Sequence, residues 1–124
     1  MTITEFLEAR VSEDEALAAL VVQDAEDRNL ATWEVDALEV GGSLPGPQMT
    51  ARFSPARVLA ECAAKRAIIM SYRSCIGAEE RTDIAKEFGV KLTVSGMVKG
   101  LELAIKFLTT TYRDHADYRE DWAL

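Results

Sequence analysis

Residues 93–112 read TVSGMVKGLELAIKFLTTTY. Val94, Met97, Val98, Leu101, Ala104, Ile105, Leu108 and Tyr112 recur at i, i+3, i+4 and i+7, the spacing that gathers side chains on one face of an α-helix. The stretch predicts a helix over 93–112 and makes the chain mainly α. Gly96 and Gly100 sit one turn apart on that helix. Glycine costs about 1 kcal/mol relative to alanine in a helix interior. A close helix crossing, in the core or across a dimer, is the expected reason for them.

Moving toward the N-terminus, GAEERTDIAKEF predicts a helix over 78–88, stopped by Gly89. Ser54-Pro55 predicts another start, with Ser as N-cap and Pro at the first helical position, where its missing N–H costs nothing. That helix is expected over 55–74. Val58, Leu59, Cys62, Ile69 and Met70 form its apolar stripe, extended by Tyr72 or Ile76. Arg57, Lys65, Arg66 and Arg73 form a basic flank, read as surface or as partners of acids on the first helix rather than as a phosphate site. The first helix is expected over 3–28, opened by a capping box in which Thr2 is followed by Glu5. Its stripe is Ile3, Phe6, Leu7, Val11, Ala18 and Val21, widened by Leu17 and Leu20. Between the first two helices, TWEVDALEV alternates apolar and polar residues, GGSLPGPQ excludes regular structure, and MTARFS could return beside it. This predicts a hairpin over 32–53.

The expected fold is one domain, 1–124, mainly α, of about four helices with a short β-hairpin inserted between the first and second. A chain of 124 residues is too short for two good cores. With 48% hydrophobic and 28% charged residues it is a globular composition rather than a disordered one. No apolar run approaches the roughly 18 residues of a membrane span, and the N-terminus lacks a secretory pattern, so the expected compartment is the cytoplasm. Cys62 and Cys75 read as small thiols rather than as a disulfide or a metal pair. The net charge of −7 is uneven. Residues 1–40 hold eleven acids and two arginines, residues 41–110 ten bases and six acids, and residues 111–124 four acids and two arginines. That pattern argues against a protein built to coat nucleic acid, while allowing a local basic face.

Two constellations could carry chemistry. RTDIAKEFGVKLTVSGMVK, 81–99, has the small residue and turn glycine of a helix-turn-helix. Its second helix would offer Lys91, Thr93, Ser95 and Lys99 to DNA, with Lys86 neighbouring. Val94 comes one residue early for the packing position, and two lysines with two glycines make a poor reading helix, so a structural hairpin is favoured. YRDHADYREDW, 112–122, holds the single histidine. Asp114, His115 and Asp117 would suit a metal or a general base, yet no fourth ligand is near. Tyr112, Tyr118 and Trp122 are large rings with polar tips, and Arg113 and Arg119 can reach carboxylates. The favoured reading of Tyr112, Arg113, Asp114, His115, Asp117, Tyr118, Arg119 and Trp122 is a clasp that holds the tail down, with a partner patch second. No nucleophile elbow, oxyanion motif or P-loop is present.

SPARVLAECAAKRAII resembles the motif Asp-Pro-Ala-Arg-Val-Leu-x-Glu-Val-x-Ala-Lys-Arg, and YRDHADYREDW resembles Tyr-Ala-Asp-His-Pro-Asp-Tyr-Arg-x-x-Trp. Both occur in this order in domain-of-unknown-function family 6221, small proteins of actinobacteria and their phages. EFLEARVSEDEALA and TWEV are also similar to that family. Ser54 stands where the motif has Asp, and Ala116 where it has Pro. Some members carry a Cys-x-x-Cys pair between the motifs; here only Cys75 lies there, so the resemblance implies no metal. It implies a bacterial or phage-infected cytoplasm and no activity. The expectation is a non-enzymatic module without cofactor, catalytic or metal residues, whose partner is a protein. A homodimer is admitted, DNA ranks lower, and a membrane is not expected.

Overall fold

The computed structural model describes residues 1–27, 52–82 and 88–124. Among them the chain is mainly helical, with α1 (Ile3–Asp27), α2 (Pro55–Arg81) and α3 (Phe88–Thr109). Short 3-10 turns follow at Thr110–Tyr112 and Glu120–Trp122. The expected architecture of four helices and a hairpin is overturned: three helices and no strand occur among the described residues. The hairpin segment 32–53 lies outside them except for Arg52 and Phe53, and neither is in a strand.

The helices begin where local chemistry says they should. At α1 the capping box is complete. Thr2 N–H donates to Glu5 Oε2 at 2.6 Å, and Glu5 N–H donates to Thr2 Oγ1 at 3.2 Å. Two orphan donors of the first turn are thereby satisfied. At α2, Ser54 Oγ accepts from Arg57 N–H at 3.3 Å.

The expected break between 74 and 78 is absent, so the helices read as 55–74 and 78–88 join as far as Arg81. Gly77 costs about 1 kcal/mol, which does not end a helix that has no proline or cap behind it. Its bare backbone also accommodates Arg81, whose Nη1 would stand 3.1 Å from a Cβ placed there. Residues 83–87, which include Lys86, lie outside the described part. α3 starts at Phe88 rather than 93 and takes Gly89 into its first turn, so Gly89 does not terminate the preceding helix. At its far end, hydroxyls of Thr109, Thr110 and Thr111 donate to the carbonyls of Ile105, Phe107 and Leu108 at 2.6–2.8 Å. The α-helix ends there and the chain tightens into the 3-10 turn.

The chain groups into two compact units, Met1–Arg10 with Ala64–Leu124, and Val11–Ala63. In the first, Phe6, Leu7, Ile69, Ile105, Thr109 and Trp122 are buried. In the second, Val11, Ala18, Ser54 and Cys62 are buried, and the Cys62 thiol donates to the Val11 carbonyl at 3.8 Å. Fully burying one large apolar side chain contributes about 1.5–3 kcal/mol. Leu17, Leu20, Leu59, Met70 and Met97 were expected in apolar stripes, but they are exposed.

Candidate functional site

Phe6 organises the C-terminal stretch. It is fully buried on α1, and three rings of the tail surround it. Trp122 lies 5.0 Å away between centroids, His115 5.8 Å and Tyr118 6.1 Å, the latter two edge-on at 71°. Tyr118 and Trp122 meet each other at 5.9 Å and 89°. Edge-to-face pairs of this kind add about 0.5–1.5 kcal/mol beyond area burial. Short backbone turns present the rings: His115 N–H donates to Tyr112 O, Tyr118 N–H to His115 O, and Trp122 N–H to Arg119 O, all within 3.0 Å.

Arg10, one turn after Phe6, supplies the polar half. Its guanidinium sits 5.1 Å from the Phe6 centroid. Its Nη1 lies 2.6 Å from both ring nitrogens of His115 and 3.6 Å from Asp117 Oδ2. A guanidinium only donates, and a neutral imidazole has one acceptor nitrogen. Asp117 N–H also donates to Nδ1, at 3.1 Å. A cation therefore stands already where a metal would bridge His115 and Asp117. Asp114, the third candidate weighed for a metal, has its side chain 98% exposed, 3.8 Å from Arg113. Among the described residues no three His, Cys, Asp or Glu side chains converge on a metal position.

The remaining tail residues are also engaged. Tyr112 OH accepts from Lys65 Nζ of α2 at 2.6 Å. Arg119 holds Asp121 through two bonds at 2.9 and 2.8 Å and stacks 5.5 Å from Trp122. Two arginines of the basic flank of α2 hold carboxylates. Arg73 grips Glu8 at 2.6 and 2.8 Å, and Arg57 pairs with Glu61 at 2.9 Å. These last pairs are largely exposed and contribute at most about 1 kcal/mol each.

The residues proposed to read DNA divide. Lys91 Nζ donates to the Glu79 carbonyl and Ser95 Oγ to the Glu79 carboxylate, so both turn toward α2. Thr93 donates to Gly89 O at 3.0 Å and is exposed, as is Lys99. Tyr72 has its pKa raised, first by burial and then by the charge of Glu102. A phenol so held keeps its proton and is no base at neutral pH.

Sequence reading missed two features. Arg10 is the anchor of the tail; its signal was being the single base among the first 27 residues. The other is the outward face of α3. Phe88, Leu92, Met97, Leu103 and Phe107 are all about half exposed or more. Among the described residues, a Cβ added at Gly89, Gly96 or Gly100 would meet nothing within 4 Å. Beside this face an open apolar groove of about 700 Å³ runs between Met70, Ser74 and Cys75 of α2 and Met97 and Gly100 of α3. The signal was a second apolar stripe on the same helix.

These elements define a small, mainly helical chain with its tail fastened to α1 and an apolar helix face turned outward. The chain belongs to the family of unknown function DUF6221, which matches it over residues 1–124. No curated protein and no solved structure matches it. Among the described residues no helix is long and apolar enough to cross a membrane.

Proposed function

We propose that this chain is a non-enzymatic protein-interaction module of an actinobacterium or its phage, working in the cytoplasm, and that the outward face of α3 is the surface it uses. One observation carries the reading: α3 is apolar around most of its circumference, yet its outer side faces solvent. A helix hydrophobic all round belongs in an interior, and an exposed apolar patch of this kind marks a binding surface. The polar residues of the tail support the same reading from the other side, because Arg10 engages His115, Lys65 engages Tyr112 and Asp121 engages Arg119.

The test compares the wild-type chain with Leu92→Glu/Leu103→Glu in affinity capture from a host lysate. The double variant is expected to lose the captured protein while keeping its helicity. Equal capture by both would refute this surface. The other reading is a DNA-binding regulator using 81–99. Thr93 and Lys99 remain available to it, whereas Lys91 and Ser95 are turned to Glu79. Fluorescence anisotropy of a labelled random duplex, at low and physiological salt, tests it, since phosphate binding weakens steeply with salt.

A further inference from the structure

We propose that the partner of the α3 face is a second copy of this chain, packed antiparallel across Gly96 and Gly100. The inference rests on the interaction reading above and names its occupant.

The order of residues along the face is the argument. Phe88, Leu92, Gly96, Gly100, Leu103 and Phe107 read Phe-Leu-Gly-Gly-Leu-Phe. At 3.6 residues per turn, Phe88, Leu92, Leu103 and Phe107 fall within an arc of about 100°. All four are exposed, by 66, 64, 47 and 54%. The pattern is the same in either direction along the helix. A two-fold interface has the property that if residue i meets j, then j meets i. Laid antiparallel about an axis near residues 97–98, two α3 helices bring Phe88 to Phe107 and Leu92 to Leu103, twice over. The spacings of the four large residues agree, because both pairs sum to 195; Gly96 and Gly100 sum to 196 and sit one position off that register. A heterologous partner would place no such constraint on the order.

The glycines lie at the centre of this register. Neither Gly96 nor Gly100 has a neighbour within 4 Å of its Cβ position, so their smallness serves no crossing with the described residues of the chain. In the pair it lets the two backbones approach, and van der Waals contact then extends along the whole stripe. The four large side chains expose on the order of 450 Å² per chain, taking about 200 Å² for a full aromatic side chain. Across two copies that is over half of the roughly 1,600 Å² that a stable interface buries. Lys99 and Lys106 are the charges within that arc. The register sets them opposite Gly96 and Gly89 of the second copy, where their stems have room to lie along the interface and carry the ammonium groups to solvent.

Sedimentation equilibrium across a concentration series reads the result. The expected species is twice 13.7 kDa. Leu92→Glu/Leu103→Glu and Gly96→Leu/Gly100→Leu are each expected to weaken the dimer at least about 100-fold with circular dichroism unchanged. Lys99→Ala removes a desolvated charge and is expected to leave the dimer as tight or tighter; a DNA surface would lose affinity instead. Register is read by mixing Leu92→Cys and Leu103→Cys chains in a Cys75→Ser background. A dominant 92–103 disulfide supports the antiparallel pair, whereas a dominant 92–92 product overturns it. A monomer at every concentration also overturns the proposal. If that monomer still captures a protein through Leu92 and Leu103, the interaction reading survives alone. If it does not, both fall.

Discussion

The tail and the outer face of α3 are opposites in the same compact unit. The tail is rich in groups that suggest chemistry: a histidine, carboxylates, arginines and phenols. Its principal polar groups are engaged within the chain, His115 and Asp117 by Arg10 and Tyr112 by Lys65, while Arg119 pairs with Asp121 on the surface. The face of α3 is rich in groups that suggest a core, and it lies in solvent. Residue type alone misplaces the face of α3 and leaves the tail open between a site and a clasp. What separates them is whether each group is already satisfied within the chain.

The contrast can be broken from either side. The largest effect is expected from Phe6→Ala or Trp122→Ala, which empty the centre of the ring cluster. Losses of about 3–5 kcal/mol follow from cavity formation, seen as a fall in the urea midpoint. His115→Ala comes next. It removes one edge-on ring contact and the acceptor for Arg10, a cost of about 1–2 kcal/mol. An unchanged melting temperature for His115→Ala and Asp117→Ala would end the structural account of the tail. Gly96→Ala and Gly100→Ala should each stabilise the isolated helix by up to about 1 kcal/mol, because nothing within 4 Å opposes the new methyl. Measured below the association range, Tm should rise.

A smaller effect concerns Glu5. Its pKa is lowered by the Thr2 N–H first and the Thr2 hydroxyl second. The folded pKa lies below the ordinary value of 4.5, so Glu5 stabilises the fold above that value. The contribution is lost as pH falls through the folded pKa, because in that window the unfolded chain binds the proton more readily. The stability gap between wild type and Glu5→Gln should therefore close on acidification. Measured below the association range, the smallest effect on stability is expected from Leu92→Glu/Leu103→Glu, within about 0.5 kcal/mol per site. A large loss there would mean that the face is part of the fold after all.

Much of the fold was legible where local rules decide. The Thr2–Glu5 box, the Ser54-Pro55 start and the inward stripe of Ile105 and its neighbours needed no tertiary information. Gly89 is no helix stop although glycine commonly punctuates helices, and the chain also runs on as helix through Gly77. A glycine stops a helix when the backbone turns left-handed there, and at neither position does it do so. Composition could suggest a clasp, but not that its anchor is Arg10 on α1. That pairing spans 105 positions, and no local pattern encodes it.

That span also bears on how the chain is made. At a synthesis rate of about 5–20 residues per second, roughly 5–20 s separate the appearance of Arg10 from that of His115. Throughout that interval Phe6 and Arg10 have been translated and the rings that cover them have not. The amino-terminal helix must therefore wait on the ribosome with its tail-binding side open. A truncated product ending before Tyr118 would carry that side uncovered, which makes it a ready substrate for holdase chaperones and quality-control proteases.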